Sequence, residues 1–167
     1  MPHPADIRLV EASESDAPKL RAVLDQVARE RVYLMLLEAP PTERIAAFIA
    51  SILETGGVQI LAVTPEHEVV GWCDINRHRA PGFEHSGYLG MGLLPEYRAQ
   101  GLGSKLAERA ISDARAKGIT RIELEVFASN TRAIRLYERL GFVHEGVKRN
   151  ARQLDGAYDD LVLMALM

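Results

Sequence analysis

The stretch Tyr97-Arg98-Ala99-Gln100-Gly101-Leu102-Gly103-Ser104-Lys105-Leu106 sets two glycines between an apolar run, Tyr88 to Leu94, and a run with Leu102, Leu106, Ala110 and Ala114 at helical spacing. Such a strand-to-helix turn leaves the backbone bare where the first amides of a helix have no internal partner. It also aims the positive end of the helix dipole outward. The chemistry it suits is anion holding, above all of a phosphate. The dinucleotide fingerprint G-x-G-x-x-G is excluded because its third glycine position holds Leu106. The P-loop pattern fails because no glycine stands at the right place before Lys105. What remains is R-x-x-G-x-G, carried by Arg98, Gly101 and Gly103.

Further along, Glu123 and Glu125 alternate with Ile122, Leu124 and Val126, so both carboxylates share one strand face. Either could take a proton, and either could equally reach solvent or pair with an arginine; for Glu123 the paired reading is preferred. Tyr137 brings a phenol able to give a proton. It also sits in an apolar stripe with Ala133, Leu136 and Leu140, which reads as core packing. Asn130 is a helix cap by type and place.

The segment from Leu124 to Phe142 contains N-x-x-A-x-x-x-Y-x-x-x-G-F, with Asn130, Ala133, Tyr137, Gly141 and Phe142 at the fixed places. Together with the glycine turn, in this order and at this separation, it resembles the two-part signature of the GNAT superfamily of N-acetyltransferases, from roughly Gly71 to the C-terminus. The resemblance implies acetyl-CoA as co-substrate. Arg98, Ala99, Gln100, Gly101, Leu102, Gly103 and Ser104 would form the pyrophosphate loop. Asn130 and the backbone of Met91 and Leu93 would hold the pantetheine arm, with the N–H near Leu93 as oxyanion donor. Tyr137 matches the tyrosine that protonates the departing thiolate. The segment around Glu125 is similar to that of bacterial ribosomal-protein alanine acetyltransferases, where the glutamate is the base; a water relay is the competing reading. Tyr33 and Glu38 lie in the helix-loop-helix region that forms the acceptor pocket in this family. Trp72 and Asp74 share a strand face, and Asp74 could hold an amine cation or be satisfied by a neighbour. His85 and Tyr88 are weaker pocket candidates, and the Asp155-Gly156-x-Tyr158-x-Asp160 ending resembles that of small-amine acetyltransferases.

The elements that must position these residues follow from periodicity and breakers. A strand at Ile7–Val10 precedes a helix capped by Ser13 or Ser15, with Leu20, Val23, Leu24 and Val27 on its apolar face. A second helix runs from Pro41 to about Glu54, and Gly56-Gly57 end it. Strands follow at Val58–Thr64 and Glu68–Arg77, then a loop at Arg79–Gly82 and a strand from Ser86 to Leu94. The helix after the glycine turn ends at Gly118. A strand at Arg121–Val126, a helix to Gly141 and two strands joined at Asp155-Gly156 complete the chain. Seven strands and four helices in this order give an α/β fold. The resemblance sharpens this to one GNAT domain over residues 1–167, with a mixed, mostly antiparallel sheet splayed at the acetyl-CoA site.

Bulk properties narrow the function. The formal charge of −3, with no Lys/Arg run, argues against a nucleic-acid partner. No apolar stretch approaches a membrane span, and Met1–Asp6 has no leader-like pattern, so a cytoplasmic setting without a membrane is expected. Cys73 is the single cysteine and the five histidines lack ligand spacing, so neither a disulfide nor a metal is expected. The expected activity is acetyl transfer to a primary amine, on a small amino-acid-like metabolite or a protein N-terminus, by direct attack in a ternary complex. A homodimer is entertained as the assembly, and the rival reading is a catalytically silent acyl-CoA-binding sensor or interaction module.

Overall fold

The computed structural model describes residue 3 and residues 6–167; Met1, Pro2, Pro4 and Ala5, part of the stretch read for a leader, lie outside them. The order is β1 (Arg8–Glu11), α1 (Ala17–Arg29), α2 (Thr42–Glu54), β2 (Val58–Val63), β3 (Val69–Arg77), β4 (Ser86–Leu93), α3 (Leu102–Ala116), β5 (Arg121–Phe127), α4 (Thr131–Arg139), β6 (Val143–Leu154) and β7 (Ala157–Leu166). This is the expected seven-strand, four-helix α/β arrangement. The sheet order is β1-β2-β3-β4-β5-β7-β6, with β4 and β5 the one parallel pair and the rest antiparallel.

The helix starts follow local chemistry. Ser13 N–H donates to Asp16 Oδ2 at 2.8 Å ahead of α1. Pro41 sits just outside α2 instead of within it. Its extended backbone offers the carbonyl that Ile45 N–H reaches at 3.2 Å, so the ring's missing N–H costs the helix nothing. Asn130 Oδ1 accepts from Ala133 N–H at 3.2 Å and caps α4, as its type predicts. At the β6–β7 turn Asp155 and Gly156 take φ of 52° and 79°, the left-handed pair that a two-residue hairpin needs.

The sheet is covered on both faces, hence the unbroken burial of β2. One core packs β2, β3, β4, β5 and β7 against α3 and α4 through Leu102, Leu106, Ala110, Ala114 and Tyr137. The other packs Leu61, Val63, Val69 and Trp72 under Leu20, Val23, Val27, Ile45 and Ile49 of α1 and α2. Beside the second core Gln59 and Asp74 stand opposite each other in register, and both are buried. Removal from water pushes the Asp74 carboxyl up to about 7. Among the described residues Gln59 Oε1 has no donor, and a protonated carboxyl across the strand pair is the kind of group that could supply one.

Candidate active site

The cleft arises because β4 and β5 pair only briefly. Ser86, Gly87 and Tyr88 meet Arg121, Ile122 and Glu123, after which the strands diverge. The alternation of backbone direction then decides which groups are open. Ser86 O accepts from His78 N–H and Leu94 N–H donates to Val70 O, so the even-numbered residues turn towards β3. The N–H and C=O groups of Met91 and the N–H of Leu93 therefore face the gap, the Leu93 carbonyl being taken by Arg98. An extended chain laid there could pair with β4 as a strand does.

The gap opens into a cleft of about 820 Å³. At one end lies the glycine turn. Ala99 and Gly101 have φ of 58° and 81°, and the first bond into α3 runs from Lys105 N–H to Gly101 O at 3.2 Å. The amides of Leu102, Gly103 and Ser104 therefore precede the helical ladder, at the positive end of a 15-residue helix. A side chain at Gly103 would stand against Leu93, Leu136 and Met91 at 3.5–3.8 Å, on the cleft wall.

Arg98 lines the cleft, but its guanidinium is taken. It donates to Glu30 at 2.8 and 2.5 Å and to Leu93 O at 2.9 Å, and it lies 4.7 Å from the centre of the Tyr33 ring. Its visible work is to tie the turn to the end of α1. The hydrogen-bond donors left open in the turn are backbone amides.

Tyr137 and Glu125 face the same cleft from α4 and β5. Tyr137 is buried against Phe142, with ring centroids 5.6 Å apart, and burial pushes its phenol well above the ordinary range. A phenol held neutral is a proton donor. Glu125 Oε1 accepts from Lys148 Nζ at 2.5 Å. Tyr88 stands on the same sheet face, where burial first and the Glu125 charge second push its phenol up to about 12. Glu123, one pleat away, is held by His78 at 2.6 Å and Arg121 at 3.3 Å and does not line the main cleft.

The cleft gathers most of the residues singled out from the sequence: Met91, Leu93, Arg98, Ala99, Gly101, Gly103, Ser104, Asn130, Glu125, Tyr137 and Tyr33. Others fall outside it. Leu102 is buried in the core, and the Gln100 side chain turns back to Glu96 O at 2.7 Å. Glu38 is exposed 3.6 Å from Arg29. Trp72 belongs to the core under α1 and lies so close over Gly92 that a Cβ there would meet its ring at 2.3 Å. Asp74 is buried behind Gly90. Sequence reasoning missed Met35 and Leu36 as cleft-wall residues, along with Arg132 and Arg139. The apolar run Val32–Leu37, too polar-flanked for a core element, was the available signal. Among the described residues there is no cluster of His, Cys, Asp and Glu that could hold a metal.

The family described as acetyltransferase (GNAT) family matches residues 20–142. The chain is 42% identical over 72 residues to the ribosomal protein bS18 alanine N-acetyltransferase of Escherichia coli, covering 43% of this chain and 49% of that protein. It thus spans about half the length of that relative. It is 27% identical over 140 residues to the L-amino acid N-acetyltransferase AaaT of Escherichia coli, covering 83% and 85%. Among solved structures, an acetyltransferase of the GNAT family from Streptococcus pneumoniae superposes with a TM-score of 0.88 at 29% identity, over 96% of this chain and 98% of that one.

Proposed function

The chain belongs to the acetyltransferase (GNAT) family, and on that premise we propose that it transfers the acetyl group of acetyl-CoA to a primary amine by direct attack in a ternary complex. The observation that carries the reading is the cleft itself: an open strand edge, a run of unpaired helix amides, a neutral phenol and a carboxylate all line one space. The amides of the Gly101–Ser104 turn take the pyrophosphate, and the backbone of Met91 and Leu93 pairs with the pantetheine arm, beside Asn130. That fixes the thioester against the amine, and positioning alone can supply much of the rate.

The chemistry then runs in three movements. An acceptor ammonium gives a proton to Glu125, directly or through one water. The free amine attacks the thioester carbonyl carbon, forming the C–N bond, while the Leu93 N–H receives the developing oxyanion. The C–S bond breaks and the Tyr137 hydroxyl protonates the departing thiolate. The second amine proton, lost as the amide forms, returns through water to the phenolate, and Glu125 passes its own proton to solvent. No residue is acylated along the way. The donor set calls for no metal, and the working setting proposed is the cytoplasm, where a chain with one cysteine and no disulfide is at home. The acceptor is a small amino-acid-like amine or a protein N-terminus; the relatives' names give an L-amino acid and an alanine of a ribosomal protein.

The test is thiol release from acetyl-CoA with and without pooled amino acids, polyamines and short peptides. Amine-dependent release with matching acetylated product supports the reading. Tight acetyl-CoA binding without release would make the protein an acyl-CoA-binding module instead.

A further inference from the structure

The segment between α1 and α2 departs from an ordinary surface. Val32, Tyr33, Met35, Leu36 and Leu37 are all exposed, Met35 to 60%. Large apolar side chains left in water forfeit about 25 cal/mol per Å², so a connection serving only to join two helices has no reason to gather them. The segment is also tied down. Arg31, itself at φ 60°, donates to both Asp155 carboxylate oxygens at 3.1 and 2.8 Å, and Arg152 donates to the Arg31 and Val32 carbonyls.

Those bonds hold Val32, Tyr33, Leu34, Met35 and Leu36 as one wall of the cleft that Glu125 and Tyr137 also line. The apolar surface is therefore tethered at its start, open, and on the same cleft as the proposed reacting groups. On that cleft the Glu125 carboxylate already carries a primary ammonium, that of Lys148, whose side chain is 56% exposed.

Resting on the acetyltransferase reading above, we infer that the acceptor is an α-amine bearing an apolar side chain. Its ammonium is drawn to Glu125 and its side chain lies on the Val32–Leu36 wall. Free apolar amino acids and peptides with an apolar first residue share this chemistry.

The experiment is a kcat/KM series at saturating acetyl-CoA for alanine, leucine, methionine, phenylalanine, serine, aspartate and lysine. Each is offered as the free acid, as the amide and as the first residue of a tripeptide. Leucine, methionine and phenylalanine are expected to exceed alanine by about tenfold or more, the scale of extra methylenes in an apolar pocket. Preference for the free acid names the amino acid as the source, and preference for the tripeptide names the peptide. In the double variant Met35→Glu/Leu36→Glu, at exposed positions, the leucine-to-alanine ratio is expected to fall towards one, with melting temperature and acetyl-CoA affinity held. Polar acceptors matching the apolar ones, or a leucine preference surviving the double variant, overturns this inference alone. If acetyl-CoA binds and no amine is acetylated, the acetyltransferase reading falls and the inference with it.

Discussion

The two walls of the cleft are built by different means. On one side stand the glycine turn, the open edge of β4 and the start of α4. Its working groups are backbone amides and a capped helix, fixed by contacts within a few residues of each other, such as Asn130 to Ala133 and Lys105 to Gly101. On the other side stands the α1–α2 segment, held by Arg31 to Asp155 and Arg152 to Val32, partners more than a hundred residues apart. A wall made of backbone changes only if the fold changes. A wall made of side chains and exposed ion pairs changes by substitution.

If that division holds, the largest loss comes from the chemistry at the backbone wall. Tyr137→Phe keeps the ring against Phe142 and removes the hydroxyl, and turnover is expected to fall by roughly 10²–10⁴, the contribution of a positioned acid. Acetyl-CoA affinity and melting temperature should hold. Turnover unaltered where chemistry limits the rate would return Tyr137 to packing alone.

Next is Glu125→Gln, expected near the lower end of that range, about 10², because water can still take the ammonium proton. Glu123→Gln is the control on the same strand face, already engaged by His78 and Arg121. The measurement is the pH–rate profile with one amine. Loss of the acidic limb in the Glu123 variant and its survival in the Glu125 variant would reverse the assignment.

Gly103→Val puts branched carbons where the backbone should approach the pyrophosphate. Acetyl-CoA binding is expected to weaken about tenfold or more, on the scale of a charge-assisted hydrogen bond. Calorimetry on the folded variant checks it, and unchanged affinity would remove the turn from the donor wall.

Asp74→Asn tests a group near both walls that the cleft leaves out. The folded carboxyl titrates at about 7 and the unfolded one near 3.8. Below the lower value both states are protonated and there is no penalty. Between the two values only the unfolded chain gives up its proton, so stability falls as pH rises, and above about 7 the loss is complete, on the order of a few kcal/mol. Asparagine cannot ionise. The variant is expected to gain melting temperature over the parent at pH 8 and to lose that gain near pH 4. A difference independent of pH would mean that Asp74 is not held neutral.

The smallest effect belongs to the outer clamp. Asp155→Ala breaks an ion pair whose side chains are 43% and 69% exposed. A stability change under about 1 kcal/mol is expected, with a raised KM for the amine and an unchanged KM for acetyl-CoA. A rise in the acetyl-CoA value instead would erase the division between the walls.

The backbone wall was legible because its signals are local. Glycines, a capping asparagine and helical spacing lie within short windows, and the same windows carry the family signature. Tyr137 was ambiguous from its apolar stripe, and the structure explains why: the residue is in the core and on the cleft at once. Trp72 and Asp74 were read as pocket residues because they share a face. The same face is roofed by α1 and α2 over Trp72 and buries Asp74 behind Gly90, and strand periodicity cannot say how far along a face the roof extends.

By itself the sequence determined the order of elements, the glycine turn before α3, the cap of α4 and the family to which the two-part signature belongs, since each depends on neighbours in the chain. Only the tertiary structure decided that Arg98 is spent on Glu30. It alone showed Glu123 and Glu125 with different partners, and an apolar helix connection forming a wall of the cleft. Those outcomes depend on which distant side chains meet when β4 and β5 part, and spacing along the chain carries no record of that encounter.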